Sequence, residues 1–298
     1  MKNTKLLILS SILTLFLASC GSSSNTHLSR EEDSEEDISV TSTTSTDASE
    51  GSGNTSTSEE KTPLVSDLTE ENYKSFITYY NAKFASLTSF KAITEGHTLS
   101  NVFGIDIDQS IAVKTIKSKD YAYMMNESHS SLVNTTHEVF YHNKKALYKD
   151  NGESNYHLKD MKSYLDKYGT YPLDKGIEGY IIKDETITSI SKKMEGDIHV
   201  FTLGLDPEKS STNVRIQMKQ FGGLDDYPIF SEINLTVKLQ NDYTPVSVSL
   251  DSKYVAKKML DSSCHQTYTN TYSNINEELT IEHLDEVKDL FNGEVEVN

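Results

Sequence analysis

The strongest constraint on the fold lies in INLTVKLQNDYTPVSVSLDSKY, residues 233–254. Ile233, Leu235, Val237 and Leu239 alternate with Asn234, Thr236, Lys238 and Gln240, and Val246, Val248 and Leu250 repeat the pattern after Asn-Asp-Tyr-Thr-Pro. Successive side chains of a strand point to opposite faces, so this period of two gives each strand one dry face and one wet face. That is the signature of an antiparallel hairpin in a sheet with one solvated side.

Further strands are expected in SFKAITEGHT, QSIAVKTIKS, YAYMMNES, HEVFYHNKKALYK, ITSISKKM and IHVFTLGL, all rich in β-branched and aromatic residues. Asp150-Asn151-Gly152 and Glu195-Gly196-Asp197 supply turns, because Gly and Asn tolerate positive φ at low cost. SSCHQTYTNTYSNIN, residues 262–276, is polar on both faces and reads as an exposed or edge strand.

A helix is predicted ahead of the strands. Thr69 caps it, Glu70 and Glu71 occupy the first turn, and Tyr73, Phe76, Ile77, Tyr80, Phe84 and Leu87 form one apolar stripe. A second helix is capped by Asp206, with Pro207 first inside it and Val214, Met218 and Phe221 along one edge, before Gly222-Gly223. Short helices are expected near Leu158–Tyr168 and Ile281–Phe291.

The chain start carries an address. Lys2 and Lys5 precede an apolar run, Leu6 to Phe16, too short for a hydrocarbon core that needs about 20 apolar residues. The run ends in Leu17-Ala18-Ser19-Cys20-Gly21, which resembles the lipobox of bacterial lipoproteins. The resemblance implies cleavage before Cys20 and a diacylglycerol on its sulfur. The protein's membrane partner is then the bilayer itself, reached through the acyl anchor, at the extracytoplasmic face.

Residues 21–62 hold 20 Ser or Thr and ten acids against Arg30 and Lys61, a net charge of −8. Such a segment buries too little to offset its ordering entropy and reads as a disordered spacer, with a mean reach of roughly 35 Å. The expected organisation is a signal peptide over 1–19, lipidated Cys20 and linker over 20–62, and a single domain over 63–298. Of the chain's net −17, the domain carries about −11 once the leader lysines and the linker are set aside. That charge repels phosphate backbones, so nucleic acid is not an expected partner. With Cys20 consumed, Cys264 stands alone, and the expected role of a lone thiol is a small buried apolar residue.

An N-terminal helix, a long run of antiparallel strands and inserted short helices, all behind a lipobox, resemble the lipoprotein-carrier superfamily typified by LolA and LolB and the related LppX-like lipoproteins. The likeness spans roughly residues 66–278 and rests on element order, not on a residue motif. It implies an α+β fold: a curved antiparallel half-barrel with the N-terminal amphipathic helix and the short helices on its concave side. It also implies a cavity for lipid.

Phe76, Ile77, Tyr80 and Phe84 of the helix, with Val237 and Val248 of the sheet, are the candidate ligand-binding residues. The same side chains would serve equally to fill the concave face as core. The competing reading is a cell-surface interaction or adhesion lipoprotein that binds a protein partner through tyrosines such as Tyr268 and Tyr272.

No catalytic residues and no cofactor are expected. Ser189-Ile190-Ser191-Lys192 has Ser-x-x-Lys spacing but lacks the accompanying motifs and lies in a strand. His129, His137 and His142 are close in sequence, yet the last two are five positions apart, which sends them to opposite faces of a strand. Asp106-Ile107-Asp108 begins like a calcium loop and lacks its glycine and glutamate.

Overall fold

The computed structural model describes residues 62–131, 134–168, 179–222, 224–258 and 260–295. The signal peptide, Cys20 and all of the linker but Thr62 lie outside the described residues.

Among the described residues eleven strands form one sheet: β1 Phe90–Val102, β2 Ile105–Lys117, β3 Ala122–Ser130, β4 Asn134–His142, β5 Lys145–Asp150, β6 His157–Asp160, β7 Ile187–Glu195, β8 Ile198–Leu205, β9 Ile229–Leu239, β10 Pro245–Lys258 and β11 Leu260–Ser273. The order is β6-β5-β4-β3-β2-β1-β11-β10-β9-β8-β7, antiparallel throughout. One meander runs outward from β1 to β6. A second runs inward from β7 to β11, where first and last strands pair from Lys91↔Ser273 to Asn101↔Ser263. The result is the curved, open half-barrel implied by the element order.

Tight turns set the registers. Asn143 and Lys144 at φ 48° and 60° join β4 to β5, and Gly196 at φ 63° joins β7 to β8. HEVFYHNKKALYK is therefore two strands. Between β9 and β10, Tyr243 adopts φ 65°, and a bulge between Pro245 and Ser247 takes Val246 out of the alternation. Beyond the bulge the expected dry face holds: Ile233, Leu235, Val237, Leu239, Val248 and Leu250 are all buried.

The helices are shorter than the sequence suggests. α1 spans Phe76–Ala85, preceded by single 3-10 turns at Val65–Asp67 and Tyr73–Ser75. Thr69 does not cap it: its backbone N–H donates to Asn72 Oδ1 at 2.8 Å, a local turn that delays the helix. α2 is Met161–Tyr168; Leu158, expected at its start, belongs to β6. The Asp206 cap holds, its Oδ1 accepting from the N–H groups of Glu208 and Lys209. The helix behind it divides into α3 Pro207–Ser210 and α4 Thr212–Gly222. Ser210 and Ser211 bond back to the carbonyls of Asp206 and Pro207 at the division. The Phe221 side chain lies outside the described residues. α5 is Leu284–Val287, followed by a 3-10 turn.

Three apolar packs hold these layers. On the concave face, α1 and the Val214 and Met218 side chains of α4 cover β8–β11 and the start of β1. Tyr164 of α2 covers Ile111, Val113, Met124, Val139, Tyr141 and Tyr148 on the same face of β2–β5. The convex face of β2–β6 is dry as well, because Ile281, Val287 and Phe291 cover Ile116, Tyr123, Phe140, Leu147 and Leu158. Alternation assigns each strand's residues to these two faces: Ala122, Met124, Val139, Tyr141, Ala146 and Tyr148 inward, Tyr123, Phe140 and Leu147 outward. Across β7–β11 the convex face is wet, where Thr269, Ser249, Thr236, Thr202 and Ser191 line up strand to strand.

Candidate ligand-binding face

The six candidate residues come together. Phe76, Ile77, Tyr80 and Phe84 of α1 and the inward Val237 and Val248 share one cluster and are 0–9% exposed. The Phe76 ring stacks on Phe201 with centroids 4.1 Å apart and planes 4° apart. Phe84 meets Phe90 at 5.3 Å and Tyr272 edge-on at 5.6 Å. Such pairs contribute about 0.5–1.5 kcal/mol each beyond their buried area. Helix and sheet thus satisfy one another in this conformation.

The middle of the concave face differs from both wings. Ser252, Gln266, Thr98 and Gln109 lie side by side across β10, β11, β1 and β2, as the registers Ser252↔Gln266, Gln266↔Thr98 and Thr98↔Gln109 require. All four are at most 4% exposed. Among the described residues, Ser252 Oγ, Gln266 Nε2, Thr98 Oγ1 and Gln109 Oε1 have no hydrogen-bond partner, although Gln109 Nε2 donates to Ser128 Oγ. A buried polar group left unpaired costs about 1–3 kcal/mol, so four in one row is a concentrated penalty. Sequence reading missed this row, yet its signal was present. SSCHQTYTNTYSNIN is polar on both faces because Gln266 and Asn270 point inward. It is not an edge strand: β11 pairs on both sides, and the edges are β6 and β7.

A second polar group sits under α2. His137 Nδ1 lies 2.7 Å from Asp150 Oδ1, and its Nε2 lies 2.7 Å from the hydroxyl of buried Tyr164. The Tyr168 hydroxyl donates to Asp150 Oδ2 at 2.5 Å. Burial pulls the Asp150 carboxyl upward, but the bonds from His137 and Tyr168 outweigh it and hold it below the usual carboxylate range. Burial and the same carboxylate push the Tyr168 hydroxyl well up. The arrangement locks α2 onto β4 and β5. His142 faces the other way, as the spacing required, and stacks on Tyr121 at 4.1 Å. His129 is exposed.

The convex face bears a cleft of about 620 Å³, lined by Ile93, Tyr123, Glu138, Tyr156, His283 and Glu286 among others. None of the six candidate residues lines it. Its buried carboxylate, Glu138, is occupied: the Tyr156 hydroxyl donates to it at 2.7 Å, the Tyr123 hydroxyl at 3.2 Å, and Lys149 lies at 3.4 Å. Burial and that carboxylate raise the pKa values of both tyrosines. Lys114 and Glu282 pair across it at 2.7 Å.

The motif-like residues do not assemble. Ser189 faces Gly204 on the convex side, while Lys192 faces Phe201 on the concave side and donates to the Val65 carbonyl at 2.5 Å, so neither can activate the other. Cys264 is buried, its thiol pKa pushed up by burial, with Ser100 Oγ 3.5 Å from its sulfur. Among the described residues no group of three His, Cys, Asp or Glu is placed to hold a metal. Nor is any described helix long and apolar enough to cross a membrane.

No family model and no curated protein matches the chain. Among solved structures it is similar to LprF from Mycobacterium bovis, at 13% identity and TM-score 0.32, covering 70% of this chain and 94% of that one. It is also similar to a LolA superfamily protein from Nitrosomonas europaea, at 8% identity and TM-score 0.27, covering 71% and 96%. A DUF1329 family protein from Desulfovibrio piger is similar at 9% identity and TM-score 0.27, covering 71% and 95%.

Proposed function

We propose that the protein is a noncatalytic, lipid-anchored extracytoplasmic lipoprotein whose half-barrel binds a lipid or other hydrophobic ligand on its concave face. The observation that carries this reading is the nature of the cover. An eleven-stranded sheet measures about 48 Å along its curve, at about 4.8 Å per strand step. The elements packed on its apolar concave side are helices of 10, 8 and 11 residues, each about 10 Å broad, not a second sheet. Short helices that add no strand to the sheet, held by side-chain contacts and a few polar bonds such as Lys83–Asp242 and Tyr168–Asp150, can leave as units, and the Leu, Val and Phe surface beneath them suits acyl chains.

The lipobox Leu17-Ala18-Ser19-Cys20 supports the anchor, and the Ser/Thr/acid-rich stretch supports a spacer between bilayer and domain. Two acyl chains or more hold a protein stably at a membrane, since each buried CH₂ contributes about 0.8 kcal/mol. Cys20→Ala is expected to move the protein from the membrane to the soluble fraction. Protein purified from its own membranes is expected to release lipid into organic solvent and to bind the neutral dye N-phenyl-1-naphthylamine once stripped. A protein that is always empty and never binds the dye refutes the ligand reading.

One observation favours a second reading, a surface interaction lipoprotein with a filled core and no ligand. Phe76, Ile77, Tyr80, Phe84, Val237 and Val248 already occupy the space between helix and sheet. The tyrosines expected to meet a partner do not face outward: Tyr268 points to the concave side and Tyr272 is buried against Phe84 and Phe90. Absence of dye binding, together with capture of a cell-surface protein that is lost in Thr269→Arg, on the wet convex face, would support this second reading.

A further inference from the structure

We propose that the ligand is a neutral amphiphile whose uncharged hydrogen-bonding group (a hydroxyl, ester or amide) is held by the row Ser252, Gln266, Thr98 and Gln109; this rests on the ligand-binding reading above. The row spans four adjacent strands on the face that carries the helices. It offers both kinds of partner: the two hydroxyls donate or accept, Gln266 Nε2 donates, and Gln109 Oε1 accepts, all buried and unpaired among the described residues. A group that both donates and accepts would satisfy several at once.

The surroundings select against charge. The inward neighbours two residues along each strand are Gly96 and Ser100, Tyr268 and Cys264, Leu250 and Tyr254, and Ile107 and Ile111, none of them charged. A carboxylate or ammonium there would be buried without a counter-charge. A plain hydrocarbon would leave the row unpaired. On either side lie the two apolar packs of the concave face, reached through Leu250 and Tyr254 on one flank and Ile111 on the other. The ligand therefore places its polar group mid-sheet and its hydrocarbon over a wing. A sheet selected for stability alone would carry Val and Leu at these positions, since apolar groups of similar shape incur no such penalty.

The test uses the full chain, stripped of lipid, and displacement of N-phenyl-1-naphthylamine by three compounds of equal chain length: monolauroylglycerol, laurate and dodecane. Monolauroylglycerol is expected to displace the dye about tenfold more tightly than either of the others. Thr98→Val/Gln266→Leu is expected to lose that preference while melting no lower than the wild type. Ser252→Ala, at the end of the row, serves if the double variant fails to fold, and is expected to reduce the preference about threefold. Laurate or dodecane binding as tightly as monolauroylglycerol would overturn the inference and leave the ligand-binding reading intact. So would variants that melt lower with the preference unchanged, which would make the row structural or merely hydrated. A wild type that binds neither dye nor any of the three compounds refutes both.

Discussion

Phe76→Ala tests whether α1 packs on the sheet in solution as it does here. The ring is fully buried and lies flat on Phe201, itself fully buried, at a centroid distance of 4.1 Å. Phe→Ala at a fixed core site costs about 3–5 kcal/mol, made up of lost transfer energy and the cavity left behind. The parallel stack accounts for about 0.5–1.5 kcal/mol of that. For a domain of this size each kcal/mol moves the melting temperature by about 2–4 °C, so a drop of about 6–20 °C is expected in lipid-stripped protein. Circular dichroism during heating reads the shift, and urea titration checks that the slope m is unchanged. The double cycle with Phe201→Ala should return a coupling near the stacking energy. A loss below about 1 kcal/mol would refute the reasoning, because the helix would then not rest on β8 in the empty protein.

Gly96→Ala is expected to be among the most damaging small changes, because a Cβ there would sit 2.3 Å from the Thr267 carbonyl oxygen and 2.5 Å from Tyr268 Cβ. Relief requires β1 and β11 to part, so a loss above about 3 kcal/mol in urea titration is expected, and a near-neutral result would argue against the β1–β11 pairing. Asp150 predicts an acid-sensitive limb. Its folded pKa is depressed, so its stabilising contribution is complete above the ordinary carboxylate value of about 3.9 and is lost as pH falls through the lower folded value. Asp150→Asn should flatten the stability–pH curve below about pH 4, and an unchanged curve would show that the His137–Asp150–Tyr168 group contributes nothing to that limb.

Much of the architecture was legible because β alternation is a local property. The β9–β10 hairpin, the Gly196 turn and the Asp206 cap each depend on residues a few positions apart. Helix lengths were not legible, since Asn72 and the Ser210-Ser211 pair redirect the backbone through side-chain bonds that compete with helix. Polarity on both faces of residues 262–276 was seen, but an edge strand and a central strand crossing a polar seam give the same pattern. Only the pairing of β11 with β1 separates them. The convergence of Phe76, Ile77, Tyr80, Phe84, Val237 and Val248 followed from facing surfaces, whereas the His137–Asp150–Tyr164 contact needs β4, β5 and α2 in place together.

The adjacency of β1 and β11 also sets an order of events for a newly made chain. Each meander can zip hairpin by hairpin, but Lys91 and Ser273 meet only after nearly everything between them has been synthesised, and closing so long a loop is slow. Until that moment Thr98 and Gln109 belong to one half and Ser252 and Gln266 to the other. A molecule cut short before β11 would keep two partial sheets with sticky free borders and no shared seam, so completing the chain is itself a checkpoint on forming the concave face proposed above to bind a ligand.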